Sequence, residues 1–229
     1  MPIAPTAQGM DYHVDIVMCI DATASMYPVL AEVKNNALTF HQKFVAEMEA
    51  KNKKVQQLRI KVIAFRDFAE DSEPIKESDF FILGDSQGNQ TEEFNSFVNS
   101  IEAVGGGDLP ENSLEALALA IKSDWVKTGS VRRHIVLMFT DAEALELGTN
   151  ATAPNYPANM PANMAELREL WESQEMEARA KRLLVYAPDC TPWNTMVEWS
   201  NTFHQASKAG TGLPDVEMET CIHLLVQSI

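Results

Sequence analysis

The sequence predicts an α/β fold, with a mostly parallel central sheet covered by helices on both faces and one antiparallel strand at its edge. Short apolar runs alternate along the chain with stretches in which apolar residues recur at helical spacing. Apolar residues make up 45% of the 229 residues and charged residues 22%, so there is enough apolar side chain for a core. We expect one domain at residues 14–229, after an N-terminal extension at 1–13.

The strands are predicted from short apolar runs. A run that is apolar at nearly every position is typical of a strand buried on both faces of a parallel sheet. The run at 80–83 is short and follows an acidic loop, so it is predicted at the edge. The predicted strands are 14–20, 58–65, 80–83, 134–139, 182–187 and 202–206.

The helices are predicted from apolar positions three and four residues apart. Beyond Pro28, one apolar stripe runs along a predicted helix through Leu30, Val33, Ala37, Phe40, Phe44 and Met48. Further helices are predicted around 94–101, from 114 to the glycine at 129, and at 164–181 and 216–227. Between the strand at 134–139 and the helix at 164–181, a loop insertion is predicted around 142–163, because residues 148–163 are rich in Pro, Asn and Ala.

Charge and composition exclude several classes of protein. The chain has 33 acidic and 18 basic residues, a net charge of −15, and no basic stripe, which argues against binding to nucleic acid. No run of about 18 apolar residues is present, and the N-terminus lacks the pattern of a signal peptide, so we expect a cytoplasmic protein that does not enter a membrane. Cys19, Cys190 and Cys221 are odd in number and lack metal-type spacing, so no disulfide framework is expected.

Three oxygen-rich segments are predicted at one edge of the sheet. The first, 21–25, follows the first strand and carries Asp21, Thr23 and Ser25. The second, 105–108, is three glycines and Asp108, and the third is Thr140 with Asp141 after another strand. Because ligands of open α/β sheets bind beyond the carboxyl ends of the strands, these side chains should converge. Hard oxygen ligands are those that Mg²⁺ prefers, which predicts a metal site.

Each segment alone also has an ordinary structural interpretation. Thr23 or Ser25 would suit the N-cap of the first helix, and Asp108 with Glu111 has the spacing of a capping box. Asp141 alone would be an ordinary acid at a strand end. The metal site is preferred because all three segments occur together, in order, at the same predicted edge.

These residues carry a resemblance to a known family. The segment VDIVMCIDATAS resembles the first motif of a von Willebrand factor type A (vWA) domain, and GGGDLPEN and VLMFTDAEA resemble its second and third. The resemblance implies a three-layer α/β/α, Rossmann-like fold with a metal-ion-dependent adhesion site formed by Asp21, Thr23, Ser25, Asp108 and Asp141. It also implies a bound Mg²⁺, with Mn²⁺ or Ca²⁺ as alternatives, and a protein partner. Intracellular bacterial members imply a setting in stress response or signalling.

The chain departs from the family pattern at two positions. Thr23 replaces the first serine and keeps the hydroxyl, whereas Asp108 stands where adhesion members have threonine. A third carboxylate would weaken the attraction of the bound cation for an acidic partner side chain, unless Asp108 acts through water. Both arrangements stay open.

The loop at 142–163 leaves the same predicted edge as Asp141. Its apolar residues are therefore candidates for a partner surface, although an insertion that packs on its own domain fits the sequence equally well. These candidates are Leu145, Leu147, Tyr156 and Met160. Resemblance to affinity-switching family members further implies that the closing helix at 216–227 shifts with the metal.

No catalytic residues are predicted. The sequence has no pairing of nucleophile and base and no GxSxG, P-loop, GxGxxG or HExxH motif, so we expect a binding domain and no enzyme. Two alternatives stay open. A magnesium-dependent phosphoryl-transfer hydrolase also begins with an aspartate after the first strand, but normally has a second aspartate where Thr23 stands. The other alternative is a scaffold that binds partners without a metal.

Overall fold

The computed structural model describes residues 11–84, 88–105 and 110–229. Within these ranges, seven strands form one sheet with the order β3-β2-β1-β5-β6-β7, and β4 also pairs with β2. All neighbours from β2 to β7 along this order are parallel. The strands are β1 (Asp11–Asp21), β2 (Lys54–Phe65), β3 (Ile75–Glu77), β4 (Phe81–Leu83), β5 (Val131–Phe139), β6 (Lys181–Pro188) and β7 (Thr202–Ser207).

Helices cover both faces of the sheet, which confirms the predicted three-layer architecture. Alternate residues of β1 enter opposite cores, since Ile16 and Met18 lie in one and Val17 and Cys19 in the other. Helices α1, α2, α3 and α6 pack on the first face, and α4 and α5 on the second. The helices are α1 (Tyr27–Asn36), α2 (Phe40–Ala50), α3 (Thr91–Asn99), α4 (Ser113–Ile121), α5 (Met164–Glu172) and α6 (Met218–Ser228).

The antiparallel edge contains more than the sequence predicts. Both β3 and β4 pair antiparallel with β2, at its carboxyl and central parts respectively. The run at 80–83 predicts β4, but β3 was missed. Its sequence, Ile-Lys-Glu, contains a single apolar residue, so no local pattern marks it as a strand.

The first predicted helix is in fact two helices. Helix α1 ends at Asn36 and α2 begins at Phe40, although all six stripe residues are buried as expected. A turn interrupts the helix, in which the Thr39 amide donates to the Asn36 carbonyl three residues earlier at 3.0 Å. The periodicity therefore identifies the buried face correctly but cannot detect the turn.

Several further boundaries differ from the predictions, and three of them change the assignment of whole segments. β1 begins at Asp11, so residues 11–13 belong to the sheet. Helix α4 ends at Ile121, well before the glycine at 129. Helix α5 ends at Glu172, and Lys181 begins β6, where its buried ammonium pairs with Glu172 at 2.8 Å. In the described ranges, no helix is long and apolar enough to cross a membrane.

Candidate metal centre

Strands β1 and β5 lie side by side and end together. Ile20 pairs with Phe139, so Asp21, the last residue of β1, lies beside Thr140. The Thr140 hydroxyl donates to Asp21 Oδ2 at 2.8 Å, and Asp21, Thr140 and Asp141 are fully buried. The parallel pairing thus brings the first and third oxygen-rich segments together, as the sequence predicts.

The turn after β1 directs two hydroxyls at the two carboxylates. Thr23 donates to Asp21 Oδ1 twice, through its amide at 2.9 Å and its hydroxyl at 2.6 Å. The Ser25 hydroxyl donates to Asp141 Oδ1 at 3.0 Å across the site. Four of the five predicted ligands, Asp21, Thr23, Ser25 and Asp141, therefore form one cluster. The fifth, Asp108, lies outside the described residues.

The structure does not support the capping interpretations. The N-cap of α1 is Met26, and neither Thr23 nor Ser25 caps a helix through its side chain. The N-cap of α4 is Asn112, so Glu111 lies before the helix and cannot take the third helical position that a capping box requires. Both hydroxyls of the first segment are committed to carboxylates instead.

The loop between β7 and α6 completes the site, and sequence reasoning missed it. The Gly210 amide donates to the Asp141 carbonyl at 2.8 Å, and the Gly212 amide to Asp141 Oδ2 at 2.7 Å. Gly212 has a φ of +70°, and a Cβ there would lie 2.0 Å from the Ser25 carbonyl oxygen. The Gly-Thr-Gly sequence at 210–212 was the available signal, but no pattern connects it to Asp141.

The site concentrates negative charge away from water. Burial raises the pKa of Asp21 to about 6, and the nearby carboxylate of Asp141 acts in the same direction. The hydrogen bonds from Thr23 and Thr140 oppose this shift, since they stabilise the ionised form. A bound cation would relieve the remaining cost of ionising Asp21.

The hydroxyl oxygens show why a cation fits. The Thr23 and Ser25 hydroxyl oxygens lie 3.4 Å apart, and each already donates its one proton to a carboxylate. When both protons are donated to the carboxylates, the two oxygens are left with acceptor lone pairs only, which favours a positive ion near them. Neighbouring ligands around an octahedral Mg²⁺ with bonds of about 2.1 Å are about 3.0 Å apart, close to the separations of Ser25 from Thr23 and from Asp141.

The ligand chemistry favours a hard cation. In the described part of the chain, no three His, Cys, Asp or Glu side chains are grouped so that they could hold a metal. The cluster offers two carboxylates and neutral hydroxyls, a set that suits an ion which keeps several water ligands. Ser25 is exposed, so the cluster is open to solvent on that side.

Known proteins share this architecture. A family model described as a von Willebrand factor A domain matches residues 78–152, a range that includes the second and third oxygen-rich segments. Two crystal structures of the pilus adhesin SpaC from Lactobacillus rhamnosus GG superpose with TM-scores of 0.58 and 0.56 at 11% identity. The chain has the fold of a vWA domain. It is 94% covered by SpaC and spans 30% of the length of that protein.

A solved vWF domain matches over nearly its whole length. The vWF domain of the type V pili tip protein Mfa5 from Porphyromonas gingivalis has a TM-score of 0.50 and 14% identity, with 94% of each chain covered. No curated protein matches the sequence significantly.

The loop at 142–163 packs on its own domain. Leu147 is only 7% exposed and lies in the core, so the structure does not present it to a partner. The Tyr156 hydroxyl donates to buried Glu115 at 2.9 Å, and its ring packs on Phe68. Met160 also packs against the core and is half-buried, as is Leu145. Most of the apolar surface of the loop is thus used within the domain.

Two exposed apolar side chains beside the cluster were not predicted. Tyr27 is 69% exposed and lies two residues after Ser25, whereas Val104 is 46% exposed and directly precedes Gly105. The Val104 amide donates to the Ala22 carbonyl at 3.0 Å, which places it against the first oxygen-rich segment. We refer to Tyr27 and Val104 as the apolar rim. Their closeness in sequence to the oxygen-rich segments was the available signal.

Proposed function

We propose that this domain binds one divalent cation, in the first place Mg²⁺, and engages a protein partner through the cation and the apolar rim. The observation that carries the proposal is the cluster of Asp21, Thr23, Ser25 and Asp141, in which each of the two hydroxyls lies within hydrogen-bond distance of a carboxylate. Thr23, Ser25 and Asp141 would hold the ion. Asp21 would orient the hydroxyls of Thr23 and Thr140 by accepting their protons.

A bound cation would supply a positive charge, and a carboxylate of a partner could bind it as a further ligand. The similarity in fold to an adhesin and a pilus tip protein supports a role in protein interaction. The apolar rim supports the same role, since exposed aromatic and aliphatic side chains around a polar centre are common in protein interfaces. The partner we infer presents an acidic residue next to an apolar one.

The metal is tested first by calorimetry. MgCl₂, MnCl₂ and CaCl₂ are titrated into chelator-stripped wild type, Ser25→Ala and Ser130→Ala. Ser130 is a matched control, because its hydroxyl bonds the Asp11 carbonyl at the opposite end of β1. We expect one-to-one binding in wild type and the control and a loss in Ser25→Ala. A hundredfold excess over the dissociation constant should stabilise the protein by about 2.7 kcal/mol.

Partner binding is tested with short peptides that carry one acidic residue beside leucine, compared with the corresponding amides. Binding should require both the carboxylate and Mg²⁺, and Tyr27→Ala should weaken it without changing the affinity for Mg²⁺. Absence of metal binding in wild type would overturn the proposal. Peptide binding that persists in chelator would identify a metal-independent interaction domain instead.

A further inference from the structure

Arg66 connects three loops at the edge of the candidate metal centre. Its guanidinium donates to three backbone carbonyls. Nε donates to that of Ala22 at 3.1 Å, Nη1 to that of Glu73 at 3.0 Å and Nη2 to that of Glu102 at 2.8 Å. Ala22 belongs to the first oxygen-rich segment, Glu73 to the loop between β2 and β3, and Glu102 lies just before the second segment. One planar guanidinium therefore fixes the relative positions of all three loops.

Backbone hydrogen bonds also join two of these loops. The Ala22 carbonyl accepts from Val104 as well as from Arg66, and the Ala24 amide donates to the Gly105 carbonyl at 3.4 Å. These bonds join the first oxygen-rich segment to the start of the second. Their geometry depends on how far residues 102–105 are held from residues 22–24, which is the distance that Arg66 spans.

The loop between β2 and β3 also lies next to Gly105, the first residue of the second segment. Gly105 has a φ of +76°, and a Cβ there would lie 2.0 Å from Asp71 Oδ1. Asp71 is held in turn by Asp67, since the amide of each residue donates to an oxygen of the other at 3.0 and 3.3 Å. Arg66 and Asp71 thus both lie against residues 102–105.

Arg66 makes these bonds without a carboxylate partner. Among the ion pairs between described residues, none includes Arg66. Its role is therefore geometric: its donors match three backbone carbonyls in a fixed fork, an arrangement that the single ammonium of lysine cannot reproduce.

We propose that Arg66 is a positioning residue of the metal centre, which holds residues 102–105 against Ala22 and so fixes the turn that carries Thr23 and Ser25. This inference rests on the proposed function. Residues that orient metal-binding groups typically change metal affinity 10–100-fold when they are replaced. Loss of the Arg66 bonds would let residues 102–105 drift from Ala22 and loosen the site.

The experiment compares Arg66→Ala and Arg66→Lys with Arg133→Ala. Arg133 is a matched control, since its guanidinium donates to the carbonyls of Ile229 and Arg132 at the far end of the sheet. For each chelator-stripped variant, the Mg²⁺ dissociation constant is measured by calorimetry and the melting temperature by circular dichroism. We expect Arg66→Ala to weaken Mg²⁺ binding about 10–100-fold and Arg66→Lys to restore part of the affinity. Arg133→Ala should lower the melting temperature and leave the affinity unchanged.

The outcomes separate this inference from the proposed function. Wild-type affinity in a folded Arg66→Ala variant, or an equal loss in Arg133→Ala, would overturn the positioning role and leave the metal centre intact. If Arg66→Ala does not fold, Arg66→Lys decides, and an unchanged Mg²⁺ affinity there overturns the role. A wild-type protein that binds no cation would overturn the proposed function and this inference with it.

Discussion

Replacement of Asp21 by asparagine should stabilise the metal-free domain and weaken its binding of Mg²⁺. Asp21 is fully buried beside Asp141, and its pKa is raised from 3.8 to about 6 in the folded state. Above that pH the folded protein must hold an ionised carboxylate away from water. Asparagine has a similar shape and carries no charge, so the cost of burying the charge disappears.

The magnitude follows from linkage between protonation and folding. Because the folded pKa exceeds the unfolded one, the folded state binds more protons between about pH 4 and 6, and the free energy of unfolding falls as pH rises through this window. A shift of about two units costs about 3 kcal/mol above pH 6. The Thr140 hydroxyl loses its acceptor in the variant, and this loss reduces the gain in stability by about 1 kcal/mol. We expect a net gain of about 2 kcal/mol at pH 7.5.

The assay is urea unfolding in chelator at pH 4 and pH 7.5, for wild type, Asp21→Asn and Asp215→Asn. Asp215 is an exposed carboxylate in the loop before α6 and controls for the change in net charge. The gain should appear at pH 7.5, vanish at pH 4 and be absent from the control, and added Mg²⁺ should stabilise wild type and Asp215→Asn more than Asp21→Asn. An Asp21→Asn protein less stable than wild type at pH 7.5 in chelator would refute the reasoning.

Further predictions concern the loop beside the site and the other end of the sheet. Gly212→Ala should weaken Mg²⁺ binding on the order of tenfold in calorimetry, because its Cβ meets the Ser25 carbonyl, whereas Gly148→Ala, at φ +82° with open space, should not. Asp15→Ala should cost about 3–5 kcal/mol in urea unfolding, since it leaves a partly buried guanidinium without its pair; a cost below 1 kcal/mol would contradict this. Burial lowers the pKa of His134, so this group should destabilise the fold as pH drops below about 6.5, and the stability of His134→Gln relative to wild type should rise over that range; equal slopes in the two proteins would count against this.

The sequence alone determined the layers of the fold and the core of the candidate site. Strands such as β1 and β5 are buried on both faces, so nearly every residue is apolar and the pattern is visible locally. Parallel strands end at one edge, so Asp21 and Asp141 could be placed together before any contact was known.

Only the tertiary structure decided the features that depend on contacts between distant segments. β3 forms because β2 offers an edge, and Lys181 enters the sheet because Glu172 and the Trp171 carbonyl accept its protons. The apolar residues of the loop at 142–163 could face a partner or the domain by sequence, and only the structure shows that Leu147 lies in the second core and that Met160 packs against it. The bonds from Arg66 to three loops join residues far apart in the chain, and no periodicity along a sequence records such contacts.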